Sequence, residues 1–427
     1  MNKKIAVIGS GIAGMASAWL LAKRYQVTLI DKNDYIGGHT NTISVAQANR
    51  DTPLPVDTGF IVYNEPNYPN LVNLFNLLGV ETQPTTMSFS ASIINSGLEY
   101  AGSDLNTLFA QRKNVFSPRF LKLVADILKF NKQAKKLLQT DTVDPRLTLG
   151  GFLQINKIGQ AMQNDYLLPM AGAIWSCPPD QIKSFPAKSF AQFFNNHGLL
   201  SIKDRPQWRT VVGGSSVYVK KLLADFSGQV ITNNSVVSIT RQPDKITLSL
   251  KNGQEMNVDD VVLATHADEA LAILSDATKD EKRYLSVFRY QDNDTYLHTD
   301  EQLMPKLEKV WSCWNYIAQK SDEATPAVSV TYWMNALQGL NTTSNYFVSL
   351  NPLRPIEPSK IIKRIHYAHP VFDNATLLSQ RQLHYIQGKQ HTWFAGSYFG
   401  YGFHEDALSS AVAVAKALHA PIPWEAI

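Results

Sequence analysis

Ile5-Ala6-Val7-Ile8-Gly9-Ser10-Gly11-Ile12-Ala13-Gly14 is the stretch on which the reading of this chain turns. Four apolar residues predict a short buried strand, a G-x-G-x-x-G turn follows, and 15–23 continue as a helix. A second strand is expected at 25–30, ending in Asp31. Strand, glycine turn, helix, strand and acid come in the order of a dinucleotide fingerprint. Each part has a physical task. Gly9 allows the tight turn, Gly11 lets the backbone approach a pyrophosphate, and Gly14 lets the helix lie close to the strand. The helix N-terminus offers free N–H groups and a positive dipole to phosphate. Asp31 can accept ribose hydroxyls and repels a 2′-phosphate, which disfavours NADP, although Lys32 beside it softens the repulsion.

Outward from this motif, the 427 residues allow two or three domains and a large core. With 44% hydrophobic and 18% charged residues, a disordered or fibrous chain is excluded. Forty basic residues against 36 acidic give a net charge of +4, too mild for a protein governed by nucleic-acid electrostatics, and no nucleic-acid partner is expected. The two cysteines, Cys177 and Cys313, cannot form a disulfide framework, a CxxC redox pair or a thiolate zinc site. Met1-Asn2-Lys3-Lys4 before an apolar run resembles a signal peptide, but Gly9-Ser10-Gly11 interrupts that run at once. A cytoplasmic protein is the expectation.

Two further segments point from a nucleotide to a flavin. Gly37-Gly38-His39-Thr40 follows Asp31 by six residues, where a chain passing an extended ribityl diphosphate has no room for side chains. Near the other end, 393–397 read as a strand ending in glycine, 398–406 as an aromatic, glycine-rich loop, and 407–418 as a helix of small residues. The N-terminus of such a helix stabilises negative charge on a reduced flavin ring. With Val212-Gly213-Gly214-Ser215 and the strands beginning at Val236-Val237 and ending at Val261–His266, these segments resemble the flavin-containing amine oxidase superfamily. Asp57-Thr58-Gly59-Phe60, Asn196-His197-Gly198-Leu199, the stretch 204–209 and the stretch 402–406 are most similar to a bacterial subgroup of FAD/NAD-binding proteins associated with cyclopropane-fatty-acid synthases.

The resemblance implies an α/β fold: a Rossmann-like FAD-binding domain of the glutathione-reductase type, interleaved with an α+β substrate domain of mixed sheet and helices. The FAD-binding domain is expected from 1–85, 205–270 and 388–427, and the substrate domain from 86–204 and 271–387. The expected cofactor contacts start with Gly9, Ser10, Gly11, Ile12, Ala13, Gly14, Asp31, Lys32, Gly37, Gly38, His39 and Thr40. They continue with Val237 (adenine, through its backbone), Ala264, Gly396, Ser397, Phe403, His404, Asp406 and Ala407. Three features depart from the superfamily. Ser397 replaces a common acidic ribityl contact, Asp406 stands where glycine is usual, and no cysteine lies near the C-terminus to attach the flavin. Non-covalent FAD is therefore expected.

The catalytic residues are not legible. His39, His404 and Phe403 are weak candidates; by resemblance, Phe403 matches one wall of an aromatic cage in amine oxidases. Glu405 is a conceivable base, but structure beside the cofactor is the more natural reading. The lysine that contacts flavin N5 through water in many relatives has no counterpart that can be placed. His366 and His369 form an H-x-x-H pair, yet no matching carboxylate or cysteine set accompanies them, so no metal site is expected. Asp204-Arg205 and Trp208-Arg209 read equally as a structural ion-pair loop or as a site. Phe190, Phe193, Phe194, Trp311, Trp314, Tyr316, Tyr332 and Trp333 make the substrate segments rich in aromatics.

Segment 111–138 carries eight basic residues and one acid, Asp126, so the rest of the chain is slightly acidic. Phe120, Leu123, Val124, Ile127 and Leu128 are expected on one face of a helix, with Lys122, Asp126, Lys129 and Lys136 on the other. Such a helix suits peripheral contact with an anionic membrane, on its inner face, and equally an ordinary surface helix packed on the core. With no second G-x-G-x-x-G, electrons pass between a substrate and oxygen or an unknown acceptor. The leading reading is an oxidoreductase that oxidises, desaturates or isomerises a lipid-like fatty acyl substrate by hydride transfer at flavin N5. The alternatives are an oxidase of a small amine and a non-catalytic flavin-binding protein.

Overall fold

The computed structural model describes residues 3–47, 50–140, 144, 146–175, 179–201, 205–243, 245–319 and 327–425. Strand Lys4–Ile8 is the hub of a five-stranded parallel sheet. Gln26–Ile30 pairs on one side of it and Asp260–Leu263 on the other; Gln229–Ile231 and Thr392–Phe394 form the edges. After Lys4 and Asp260, which open them, the two central strands are apolar because both faces are covered, as parallel sheets require. The chain leaves Lys4–Ile8 for Gln26–Ile30 on one side, whereas the sheet continues from Asp260–Leu263 to Thr392–Phe394 on the other, so a crevice opens at the carboxyl ends of Lys4–Ile8 and Asp260–Leu263.

Helix Ile12–Ala22 has ten buried residues out of eleven. It lies between the sheet and helix His404–Ala417, and Ala13, Ala16, Ala411 and Ala415 belong to the shared core. Small side chains let these helices approach closely. Trp19, the largest side chain in this layer, is 2% exposed and donates its indole N–H to Asp225 Oδ2 at 2.8 Å. Burying such a ring contributes about 2–3 kcal/mol.

A second, seven-stranded sheet runs Ile361–Val371, Arg289–His298, Phe347–Leu350, Ala327–Trp333, Trp314–Gln319, Phe89–Ile93, Leu98–Ala101. Its one parallel pairing, Trp314–Gln319 on Phe89–Ile93, joins segments more than 200 residues apart. Helices between residues 118 and 196 pack around Leu123, Phe130, Phe190 and Phe194.

Helix Pro118–Leu138 departs from the face assignment made from its sequence. Asp126 is buried, not exposed: it sits three residues after Leu123 and four before Phe130, on the inward arc. Its carboxylate accepts from the Gly159 N–H at 3.1 Å and lies 3.5 Å from Lys122. Leu128, assigned to the apolar face, is 50% exposed.

Asp57 ties the two sheets' surroundings together. Its carboxylate is fully buried and accepts from the Ser215 N–H and Oγ, from Thr42 Oγ1 and from Gln338 Nε2. Its own N–H donates to Gln338 Oε1 at 2.9 Å. Burial pushes its carboxyl up to about 6. Asp57→Ala strips the partner from several buried donors and should lower stability by about 3 kcal/mol in chemical denaturation. A loss under about 1 kcal/mol would show that water or a neighbour replaces it.

Candidate active site

A cavity of about 1370 Å³ opens at the crevice and extends toward the seven-stranded sheet. That exceeds the roughly 300–1,000 Å³ of a small-molecule pocket, leaving room for a cofactor and a substrate. One end is the glycine turn. Gly9 has φ +96° and donates its N–H to Ile30 O at 2.8 Å. A Cβ on Gly14 would lie 1.7 Å from the Gly9 carbonyl oxygen, so the turn and helix admit no side chain there. Gly11 differs. Its φ is −60°, and a Cβ there would meet no protein atom within 4 Å. Neither backbone strain nor packing demands glycine at this position, but Gly11 lines the cavity. Room for a ligand's phosphates against the helix N-terminus explains it, and this is the observation that fits a dinucleotide to the site. A Cβ on Gly38 would touch Gly11 Cα at 3.1 Å, so the second glycine loop lies against the first.

Around this end the wall contains Ser10, Ile12, Ala13, Asp31, Lys32 and Gly37, with Ala264, Gly396, Ser397 and Ala407 across from them. Asp31 Oδ2 accepts from the Ser10 N–H at 2.7 Å and Oδ1 from the Asn33 N–H at 2.8 Å. These bonds orient a carboxylate with spare lone pairs into the cavity. Lys32 donates to Glu269 Oε1 at 2.6 Å, so its charge is already matched and gives little help to a 2′-phosphate.

Histidines and aromatics form the middle. His39 stacks on Tyr367 at 4.6 Å and lies 5.3 Å from His369, ring centre to ring centre. His39 Nε2 is buried and has no hydrogen-bond partner among the described residues. His369 Nδ1 lies 3.0 Å from Asn293 Nδ2. The surface that both rings retain faces the cavity they line. His404 stacks on Phe60 at 3.8 Å, and its Nε2 lies 2.6 Å from Tyr218 Oη. Burial holds His404 down to about 3 and His369 and His197 down to about 4. Burial and the neighbouring histidines hold His39 well below its ordinary value. All are neutral at physiological pH.

Phe403 also lines the cavity, stacked on Phe193 at 4.9 Å. Of the eight aromatics noted in the substrate segments, Phe193, Trp314 and Tyr332 reach the wall. Phe190, Phe194 and Tyr316 are core residues.

Four of the expected contacts stand off the wall. Gly14 lies behind the turn. Thr40 bonds Tyr218 Oη at 2.6 Å. Val237 is 52% exposed, and Asn234, Ser235 and Val236 face the cavity in its place. Asp406 turns back on its own loop, accepting from the Tyr401 and Phe403 N–H groups, both at 2.9 Å. Glu405 accepts from the Asn70 and Leu71 N–H groups at the start of helix Pro69–Leu78. His366 and His369 fall on opposite faces of strand Ile361–Val371, since residues three apart alternate. His366 pairs with Asp292 at 3.3 Å. Arg209 bonds Thr82, whereas Arg205 is exposed and lines the cavity; Asp204 and Cys177 lie outside the described residues. Cys313 is buried and donates to Thr86 O at 3.2 Å. Tyr367 does not stand out in the sequence, and His369 does so only through the H-x-x-H pair; the period-two pattern in 361–371 is what places the two on one face of the strand.

Two predictions follow from this geometry. Gly11→Ala should fold with unchanged Tm yet purify with at least about tenfold weaker FAD affinity by fluorescence titration. Normal affinity would mean that the ligand does not approach there. The second concerns pH. At pH 5 the unfolded chain protonates His39, His197, His298, His369 and His404, which burial keeps neutral in the fold. Against them, the fold holds extra protons on Asp57 and Asp406, both raised to about 6 by burial. The unfolded state thus binds more protons, so Tm should fall as pH drops from 7 to 5. A flat or rising Tm would contradict the buried, neutral histidines.

A model of the flavin containing amine oxidoreductase family matches residues 12–311. L-amino-acid oxidase of Mus musculus is 26% identical over 63% of this chain, and the match spans only 42% of that relative's length. A fatty acid isomerase from P. acnes superposes with a TM-score of 0.68 at 16% identity, covering 97% of this chain and 98% of that one. Putrescine oxidase bound to putrescine gives 0.68 at 13% identity, with 99% and 100% covered. These structural likenesses bear on the fold, which both share. On the family match, which covers most of its length, the chain belongs to the flavin containing amine oxidoreductase family.

Proposed function

We propose that this chain is an FAD-dependent oxidoreductase that oxidises, desaturates or isomerises a lipid-like, fatty acyl substrate. The observation that carries this reading is the chemistry of the cavity wall beyond the histidines. Met170, Ile174, Phe193, Leu199, Trp314 and Phe403 make it apolar. The acids among the described lining residues are Asp31, Glu269 and Asp292. Asp31 is held by the glycine turn, Glu269 by Lys32, and Asp292 by His366. An ammonium substrate would therefore find no carboxylate at the apolar end. Arg205, beside Tyr166, offers a cation there and suits an anionic head group.

The two glycine loops, Asp31 and the start of helix His404–Ala417 would hold FAD non-covalently. FAD bound there supplies a hydride acceptor or donor at N5. The chain's own part is to exclude water with apolar walls and to keep the acyl chain in reach. His39 and His369, neutral and close together, are placed to hold or pass a proton. The division into a cofactor part and a substrate part, with a peripheral membrane contact through 111–138 and oxygen or another acceptor for electrons, belongs to the same proposal. The likeness to L-amino-acid oxidases and putrescine oxidase favours a second reading, oxidation of an amine or amino acid.

The test is anaerobic mixing of holoprotein with dispersed unsaturated fatty acids, putrescine or L-amino acids. Flavin bleaching and the chromatographic profile of the acyl chain are followed together. Bleaching, or a shifted double bond, with fatty acyl chains alone is expected. Bleaching by amines alone would replace the proposal with the second reading, and no change with either would point to a non-catalytic flavoprotein.

A further inference from the structure

The helix Pro118–Leu138 spends its apolar face on the core, through Phe120, Leu123, Phe130 and Ala134. A different set of side chains is left outside. Phe116 is 86% exposed, Leu105 74%, Leu128 50%, Leu121 46% and Val115 41%. Every exposed residue from 112 to 138 is apolar or basic, and all eight basic residues of this segment are exposed. Its single acid, Asp126, is buried. Asp104, just upstream, is exposed and caps the short helix Leu105–Leu108 through the Thr107 N–H at 2.8 Å.

We infer that this corner docks on an anionic lipid bilayer, with Leu105 and Phe116 entering the acyl layer and the lysines of Pro118–Leu138 on the phosphates. Both halves of the surface are needed to identify the partner. Exposed phenylalanine and leucine gain by leaving water, and the stretch 112–138, with eight exposed cations and no exposed acid of its own, favours a continuous negative surface. A second copy of this chain would set cations against cations, which disfavours self-association.

Position gives the contact its use, and only this part rests on the fatty acyl reading above. Gly102 and Ser103, three and two residues before Leu105, line the cavity, as do Tyr100 and Tyr166. The Tyr100 hydroxyl donates to the Asp165 carbonyl, and Arg119 pairs with the Asp165 carboxylate at 2.5 Å. Cavity wall and docking helix are thus one connected piece. A bilayer seated on Phe116 lies beside the apolar end of the cavity, so an acyl chain can pass between them with little exposure to water.

Flotation of the full-length holoprotein tests the docking without turnover. Vesicles are phosphatidylcholine alone, or phosphatidylcholine with an equal amount of phosphatidylglycerol. Binding to the anionic vesicles should be at least about tenfold stronger and should weaken with salt. The pair Leu105→Asp with Phe116→Asp should abolish it, and the pair Lys129→Ala with Lys132→Ala should weaken it about tenfold. All four side chains are exposed, so Tm and FAD content serve as folding controls. Wild-type protein that stays unbound, binds both vesicles equally, or binds as well after either pair of changes overturns the docking. If docking holds but dispersed fatty acids leave the flavin and their own double bonds unchanged, the substrate reading fails alone.

Discussion

A buried carboxylate organises this molecule. Asp57 brings together Thr42 of the first hairpin, Ser215 at the mid-chain glycine turn and Gln338 from the other half of the fold. Removing an anion from water is expensive, and only a full set of donors offsets it. Asp57 has that set, which fixes three distant segments of the chain relative to one another. The cavity lies within this frame: Thr58, Gly59 and Phe60, the next residues along the chain, form part of its wall.

What could be read in the sequence was whatever the backbone decides locally. The turn at Gly9, the close helix behind Gly14 and the second glycine pair follow from sterics, and the structure places the turn and the pair on the cavity wall. Sixteen of the twenty expected cofactor contacts line it. Of the four off the wall, Gly14 packs behind the turn and Val237 leaves the wall to its neighbours, while the side chains of Asp406 and Thr40 find partners that spacing does not reveal. Asp406 bonds its own loop, and Thr40 bonds Tyr218, 178 residues away. Tyr367 and His369 meet His39 only because a strand from late in the chain crosses over it. Asp126 shows the converse error: a charged residue was assigned to solvent although it sits between two buried apolar neighbours and satisfies the Gly159 N–H.

The cavity changes character along its length. At the glycine end, backbone N–H groups, Asp31 and the Lys32–Glu269 pair create a polar, oriented environment. Beyond the neutral histidines, aromatic and aliphatic walls lower the effective dielectric, so any charge that develops there interacts strongly with the few groups present. One polar end and one dry end suit a cofactor that carries its own phosphates and a substrate that carries none of its own beyond its head.

The edge strand Thr392–Phe394 and helix His404–Ala417 complete a sheet that begins at Lys4. During synthesis the first strand and its helix emerge hundreds of residues before these partners. Phe89–Ile93 likewise waits for Trp314–Gln319. Each early strand has a neighbour close in sequence, but its other edge and the apolar face of the first helix stay uncovered until the late partners leave the ribosome. Cofactor capture is therefore a late event in biogenesis, and folding helpers have more time to act on this chain than on one whose nucleotide-binding sheet closes early.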